Sequence, residues 1–122
     1  MDIFGEEFIK WLEFRGPFDI VTFNPPYIPR RDWQTLPASV KDYEDPGALI
    51  GGEDGLEFYR RIAWILRQTP LLRSEAWLAI EFGHRQGQAV KKIMEETDKL
   101  DHVEIWTDAF GVERALFCRG KS

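Results

Sequence analysis

Asn24, Pro25, Pro26 and Tyr27 stand directly after the apolar run Phe18-Asp19-Ile20-Val21-Thr22-Phe23, and together they can grip a planar NH2 group. Two consecutive prolines fix φ near −65° and remove two backbone donors, so the carbonyls of Asn24 and Pro25 project from a stiffened turn. Those carbonyls can accept protons from an amine or amide nitrogen. The Asn24 side chain carries an acceptor and a donor, which suits an acceptor molecule offering NH2 beside a carbonyl or a ring nitrogen. Tyr27 adds a flat face for a planar group. The bland alternative is a rigid strand-to-loop exit, because Pro and Asn punctuate loops everywhere. Four such residues directly after a strand of buried type make that alternative the weaker one.

The chemistry follows from the acceptor. An amide or exocyclic amine nitrogen is a poor nucleophile, since its lone pair is delocalised into the adjacent π-system. Hydrogen bonds from its protons to Asn24 and Pro25 would turn the lone pair toward an electrophilic carbon. Placing two reactants in line can supply roughly 7–11 kcal/mol without a strong general base. No Ser-His-Asp set is required.

The elements that position this loop come from a chain of 122 residues, 43% hydrophobic and 14% aromatic, enough for one core. Net charge is −5 and the pI about 5.1, so no global basic field favours nucleic acid as a partner. The single cysteine, Cys118, excludes an internal disulfide, lacks zinc spacing and reads as a packed, inert thiol in a reducing compartment. No apolar stretch approaches the ~20 residues of a membrane span, and the first residues are acidic, without a signal-type start.

Periodicity predicts alternating helices and strands. Glu6 to Phe14 places Phe8, Trp11, Leu12 and Phe14 close to helical spacing, and Gly16-Pro17 stops that helix before the strand Phe18 to Phe23. Ile28 to Glu53, with Pro29, Pro37 and Pro46, reads as a long loop covering a site, with one short helix at most. Gly55 to Leu72 puts Leu56, Tyr59, Ile62, Ala63, Ile65 and Leu66 on one helical face, with Asp54 as its N-cap. Trp77 to Phe82 is a buried strand and Gly87 to Thr97 a helix through Val90, Ile93 and Met94. Val103 to Thr107 and Arg114 to Cys118 are strands about a turn at Gly111, in which Asp108 and Arg114 can pair. This is an α/β sheet, and in such sheets ligands lie beyond the carboxyl ends of the strands. Asn24 to Tyr27 sits at one such end and Glu81-Phe82-Gly83-His84 at the next. Glu81 reads as a helix-capping carboxylate more readily than as a site residue. His84 and His102 read as surface residues, and Arg30-Arg31 and Arg60-Arg61 as solvated faces.

Asn24-Pro25-Pro26-Tyr27-Ile28, then Tyr43-Glu44-Asp45-Pro46, Ala48-Leu49, Gly51-Gly52, Asp54-Gly55-Leu56, Glu81-Phe82-Gly83 and finally Asp108, Gly111 and Arg114, form an ordered series that resembles the HemK/PrmC family. That family methylates the glutamine side-chain amide in the Gly-Gly-Gln loop of peptide chain release factors, using S-adenosylmethionine. The resemblance implies that Asn24 contacts both cofactor and glutamine amide, that Pro25 accepts from the amide NH2, and that Pro26 and Tyr27 complete the substrate wall. It makes Asn24 and Pro25 the catalytic pair. Asn-Pro-Pro-Tyr alone also occurs in N6-adenine DNA methyltransferases; the block from Glu44 to Leu56 resembles the glutamine enzymes instead.

The resemblance covers the C-terminal half of a Rossmann-like S-adenosylmethionine-dependent methyltransferase sheet, ending in an antiparallel strand pair. Residues 1–122 are expected to be a partial methyltransferase domain. The first three strands, their glycine-rich cofactor turn and an N-terminal helical domain are absent from it. Asp2 and Ile3 align with the pair that flanks the adenine, and with Asn24 they are the remnant of the cofactor pocket. In the family's sheet the strand Phe18 to Phe23 lies in the middle, so here its edge is expected to be free to pair with another chain. Three readings follow. The first is a release-factor glutamine methyltransferase fragment, inactive alone. The second is a non-catalytic module completing its sheet with a partner chain, and the third an adenine-N6 nucleic-acid methyltransferase. The Tyr43-Glu44-Asp45-Pro46 spelling resembles organellar relatives, which points to the mitochondrion, with the cytoplasm as the alternative.

Overall fold

The structure, a computed structural model, describes residues 2–29, 52 and 54–122. Helix α1 (Glu6–Arg15) opens with Glu6 and Glu7 in its first turn and closes with Arg15 in its last, charges that complement the helix dipole. It ends where Gly16 N–H bonds the Leu12 carbonyl at 2.7 Å, and strand β1 (Phe18–Phe23) follows Pro17. Helix α2 (Glu57–Gln68), strand β2 (Leu72–Glu81), helix α3 (Gly87–Glu95) and strands β3 (Leu100–Thr107) and β4 (Glu113–Gly120) complete the order. The four strands form one sheet in the order β1-β2-β4-β3. β1 runs parallel to β2, while β4 is antiparallel to both β2 and β3. The α/β class and the terminal antiparallel pair are as the sequence implies.

Alternation along the strands separates two faces. Leu78 and Ile80 on β2, with Leu116 and Cys118 on β4, point to the side where Tyr59, Ile62, Ile65 and Leu66 of α2 and Val90 and Met94 of α3 close the core. Trp77, Phe117 and Trp106 stand on the other side as diagonal neighbours on β2, β4 and β3, where Phe117 pairs with Ala79 and Glu104. Their ring centroids are 4.8 and 4.4 Å apart, and Arg119 covers Trp77 at 4.6 Å.

Several boundaries differ from the expectation. α2 stops at Gln68, because Thr69 turns to extended backbone ahead of Pro70, and β2 begins five residues before Trp77, through the polar Arg73-Ser74-Glu75. Phe14 is not an inward residue: it is 81% exposed, and Ile9 packs on the core instead. Asp54 is not the N-cap of α2. Leu56 holds that place, and Asp54 stands two residues earlier, taking the Leu56 N–H at 3.0 Å and pairing with Arg60. Arg61 is not a solvated arginine either, for its guanidinium lies 4.3 Å over the Trp64 ring and its Nε donates to the Ile3 carbonyl at 2.9 Å.

Candidate functional site at the carboxyl ends of β1 and β2

Parallel pairing brings Phe23, the last residue of β1, opposite Ile80, so the chain leaves both strands at the same rim of the sheet. Beneath that rim lies Tyr59, fully buried on α2. Its ring meets Phe23 edge-on at 6.5 Å, and its hydroxyl donates to the Glu81 carbonyl at 2.8 Å. Burial, with smaller contributions from Tyr27 and Glu81, pushes the phenol well above its ordinary pKa. Tyr59 thus joins the two strand ends, through its ring to Phe23 and through its hydroxyl to the Glu81 carbonyl.

From this floor the loop rises with Asn24 exposed, Pro25 buried, Pro26 half-buried and Tyr27 38% exposed. Pro25 anchors the turn while Asn24 stands in solvent. The Tyr27 ring lies against Gly83 so closely that a Cβ on Gly83 would collide with it. The Gln86 side chain closes the rim: its Oε1 accepts from Gly83 N–H at 2.8 Å, and its Nε2 donates to the Tyr27 carbonyl at 2.8 Å and to the Gly55 carbonyl at 3.5 Å. Gly55 has φ of +79°, and a Cβ there would strike the Tyr27 carbonyl. Gly55 and Gly83 were legible as motif glycines. Gln86 and Tyr59 were not assigned to the site from sequence, and the signal for Gln86 was its place three residues after Gly83, at the start of α3.

Asp2 and Ile3 occupy the turn before α1. The Asp2 Oδ1 accepts from Phe4 N–H at 2.9 Å, and the Ile3 side chain lines an apolar groove of about 280 Å³ with Phe8, Trp11, Val21, Thr22 and Phe23. That groove runs beside β1, an edge strand of the sheet among the described residues, and its lining ends at Phe23, next to Asn24. Of the three proposed cofactor contacts, Ile3 lines that groove, Asp2 and Asn24 do not, and Thr22 is its polar residue. By its chemistry an apolar side chain beside a carboxylate would suit the adenine of S-adenosylmethionine, and Asn24 its methyl-bearing end.

Other expectations settle as structure. The Glu81 side chain does not cap α3, whose N-cap Gln86 makes no side-chain cap bond; Glu81 contributes its carbonyl to Tyr59. His84 is exposed, and His102 pairs with Glu104 at 2.9 Å on the surface. Arg114 Nε binds Asp108 Oδ2 at 2.9 Å, while Asp108 Oδ1 takes the N–H groups of Phe110 and Val112 and fixes the turn at Gly111. Burial pushes the Cys118 thiol up to about 12, so it is inert. Among the described residues no His, Cys, Asp and Glu cluster could hold a metal ion, and no helix is long and apolar enough to cross a membrane. Arg30-Arg31, the Tyr43-Glu44-Asp45-Pro46 block, Ala48-Leu49 and Gly51 lie outside the described residues, as does nearly all of the expected covering loop.

Comparison with known proteins finds relatives over most of this chain. The chain is 43% identical over 114 residues to a protein of Bacillus anthracis named release factor glutamine methyltransferase, 93% of this chain and 39% of that one. It is 43% identical over 100 residues to the Bacillus cereus protein of the same name (81% and 34%), and 40% identical over 102 residues to that of Aquifex aeolicus (84% and 34%). The chain spans little more than a third of the length of these relatives. No protein-family model matches it. Among solved structures it resembles the release-factor-specific protein-(glutamine-N5) methyltransferase of Alicyclobacillus acidocaldarius, with a TM-score of 0.61 and 25% identity over 96% of this chain and 57% of that one.

Proposed function

Because this chain belongs with the release factor glutamine methyltransferases, as a counterpart of their C-terminal part, we propose that it carries the acceptor-holding half of a transfer of methyl from S-adenosylmethionine to a glutamine side-chain amide of a peptide chain release factor. The observation that supports this most is the rim itself, where a buried Pro25, an exposed Asn24 and a Tyr27 ring braced on Gly83 converge at the ends of two parallel strands. When bound, the cofactor supplies an electrophilic methyl carbon. The chain's own residues do the rest by position. The Asn24 side-chain oxygen and the Pro25 carbonyl accept the two amide protons, holding the nitrogen lone pair in line, and Tyr27 and Pro26 flank the glutamine. No base is needed before transfer. The proton displaced afterwards leaves to solvent through the exposed side of Asn24.

Residues 1–122 are, in this reading, a partial domain with an incomplete cofactor pocket, so the chain alone turns over poorly or not at all. The test is complementation. The chain is combined with the preceding two-thirds of the Bacillus cereus relative, S-adenosylmethionine and a Gly-Gly-Gln peptide. Mass spectrometry should find one added methyl on the glutamine with both pieces present, none with the chain alone, and none with Asn24→Ala. Methylation of an adenine oligonucleotide instead would turn the assignment to the nucleic-acid enzymes. Micromolar cofactor binding by the chain alone would overturn its dependence on a second piece.

The groove beside β1 favours a second reading, a non-catalytic module that completes its sheet with another chain. Ile20 is 68% exposed on that edge, where an added strand would cover it. Co-purification with a methyltransferase-like subunit, without transfer by the complex, would select it. The compartment we propose is the mitochondrion, with the cytoplasm as its alternative, and fractionation of the source cells decides between them.

A further inference from the structure

We propose that Gln86 is the positioning residue of the acceptor loop, fixing Asn24 to Tyr27 in its amide-holding shape through the Tyr27 carbonyl without touching the acceptor. This rests on the reading of that loop as an amide-holding site.

Pro25 and Pro26 have no N–H groups, so the loop cannot brace itself with backbone bonds at its centre. Among the described residues, Gln86 supplies the side-chain hydrogen bond that reaches it. The orientation of the Gln86 amide is dictated by its neighbours. Gly83 presents an N–H, whereas Tyr27 and Gly55 present carbonyls, so the oxygen must face Gly83 and the nitrogen the other two. A flipped amide would set donor against donor and acceptor against acceptor. The base of the clamp is itself fixed. Gln86 is the N-cap of α3: its N–H bonds the Gly83 carbonyl at 3.2 Å, and its carbonyl accepts from Val90 at 3.0 Å.

The two glycines make the clamp short enough to work. A side chain on Gly55 would displace the Tyr27 carbonyl, and one on Gly83 would displace the Tyr27 ring. One amide therefore ties the loop after β1, the turn after β2 and the turn before α2 into a single rim. The Asn24 and Pro25 carbonyls stay uncommitted to this clamp and remain available to an incoming NH2.

The experiment compares Gln86→Ala and Gln86→Glu in the 122-residue chain by NMR, with no cofactor or acceptor present. Gln86→Glu keeps the acceptor for Gly83 N–H and loses the donor to Tyr27, so it separates the two bonds. The wild type should give contacts between the Tyr27 ring and the Gly83 α-protons. Both variants should lose those contacts and broaden the Ile28 amide, while Gln86→Glu keeps the Gly83 amide shift and the amides of Leu78, Leu116 and Cys118 stay in place. In the complemented transfer assay the same variants should lower kcat by about 10²-fold with the peptide KM little changed. Ring contacts that persist in both variants overturn the proposal, and so does loss of the sheet's own signals in Gln86→Glu. Absence of transfer by the wild-type complex counts against the methyltransferase reading and leaves the loop contacts to decide the clamp.

Discussion

The two edges of the sheet are built by different rules. β3, at one edge, carries Asp101, His102 and Glu104, has register irregularities near both ends, and ties its outer face together by bonds from His102 and the Trp106 indole to Glu104. Charges and bulges of this kind discourage further pairing. β1, at the other edge, is six residues with one charge, Asp19, drawn off toward Arg73 at 3.4 Å, and beside it lies the apolar groove lined by Ile20, Phe18 and Trp11. An edge meant to face water resembles β3. β1 has the composition of a strand made to be covered, and it carries the acceptor loop at its end.

The hardest blow to that contrast is Phe23→Ala. Phe23 fastens the end of β1 to Tyr59, and its truncation should lower stability by about 3 kcal/mol in urea unfolding and release the loop. A loss under about 1 kcal/mol would mean that β1 is held by its edge and not by its inner face. Next comes Tyr59→Phe. It strands the Glu81 carbonyl under the rim and should cost about 1–3 kcal/mol, measured the same way.

Ile20→Lys sharpens the comparison directly. It should suppress self-association in light scattering while changing stability by no more than about 0.5 kcal/mol. Trp106→Lys on β3 should leave association unchanged, and equal effects from the two would erase the distinction between the edges. The smallest effect belongs to the β3–β4 turn. Hydrogen bonding from Arg114, then from the Val112 backbone, holds the Asp108 carboxyl below its ordinary range, so the unfolded chain binds the proton more readily than the folded one. Its contribution is complete above the unfolded pKa and is lost as pH falls through the lowered folded one. Asp108→Asn, which keeps an acceptor for Phe110 and Val112, should slightly flatten the acid limb of the stability curve.

Much of this fold was legible because its punctuation is local. Gly16-Pro17 ends α1, the spacing from Tyr59 to Leu66 announces α2, and the run Phe18 to Phe23 is β1 to the residue. The start of β2 was hidden because Arg73-Ser74-Glu75 is polar, and because Glu75 takes a φ of +62° within the register shift that separates the Phe18–Leu72 and Ile20–Trp77 pairs. At the site, Asn24 to Tyr27 announces itself by residue type. Gln86 does not, because its partners are backbone atoms 59 and 31 residues away, and any residue has a carbonyl. The Asp54 reading failed by two positions for a related reason: an Asx turn and an N-cap use the same carboxylate, and only the helix's actual first residue tells them apart.

Cys118 gives the molecule a clock. It is the chain's one cysteine, it lies in β4 between Leu78 and Val103, and its thiol is pushed up to about 12. A thiol reagent at neutral pH can modify it only in molecules whose core has opened between the sheet and the helices that cover it. The labelling rate therefore times the opening of that core, at a single site and without an engineered probe. Any chain that seats itself on β1 and steadies the whole sheet should slow that rate at a distance.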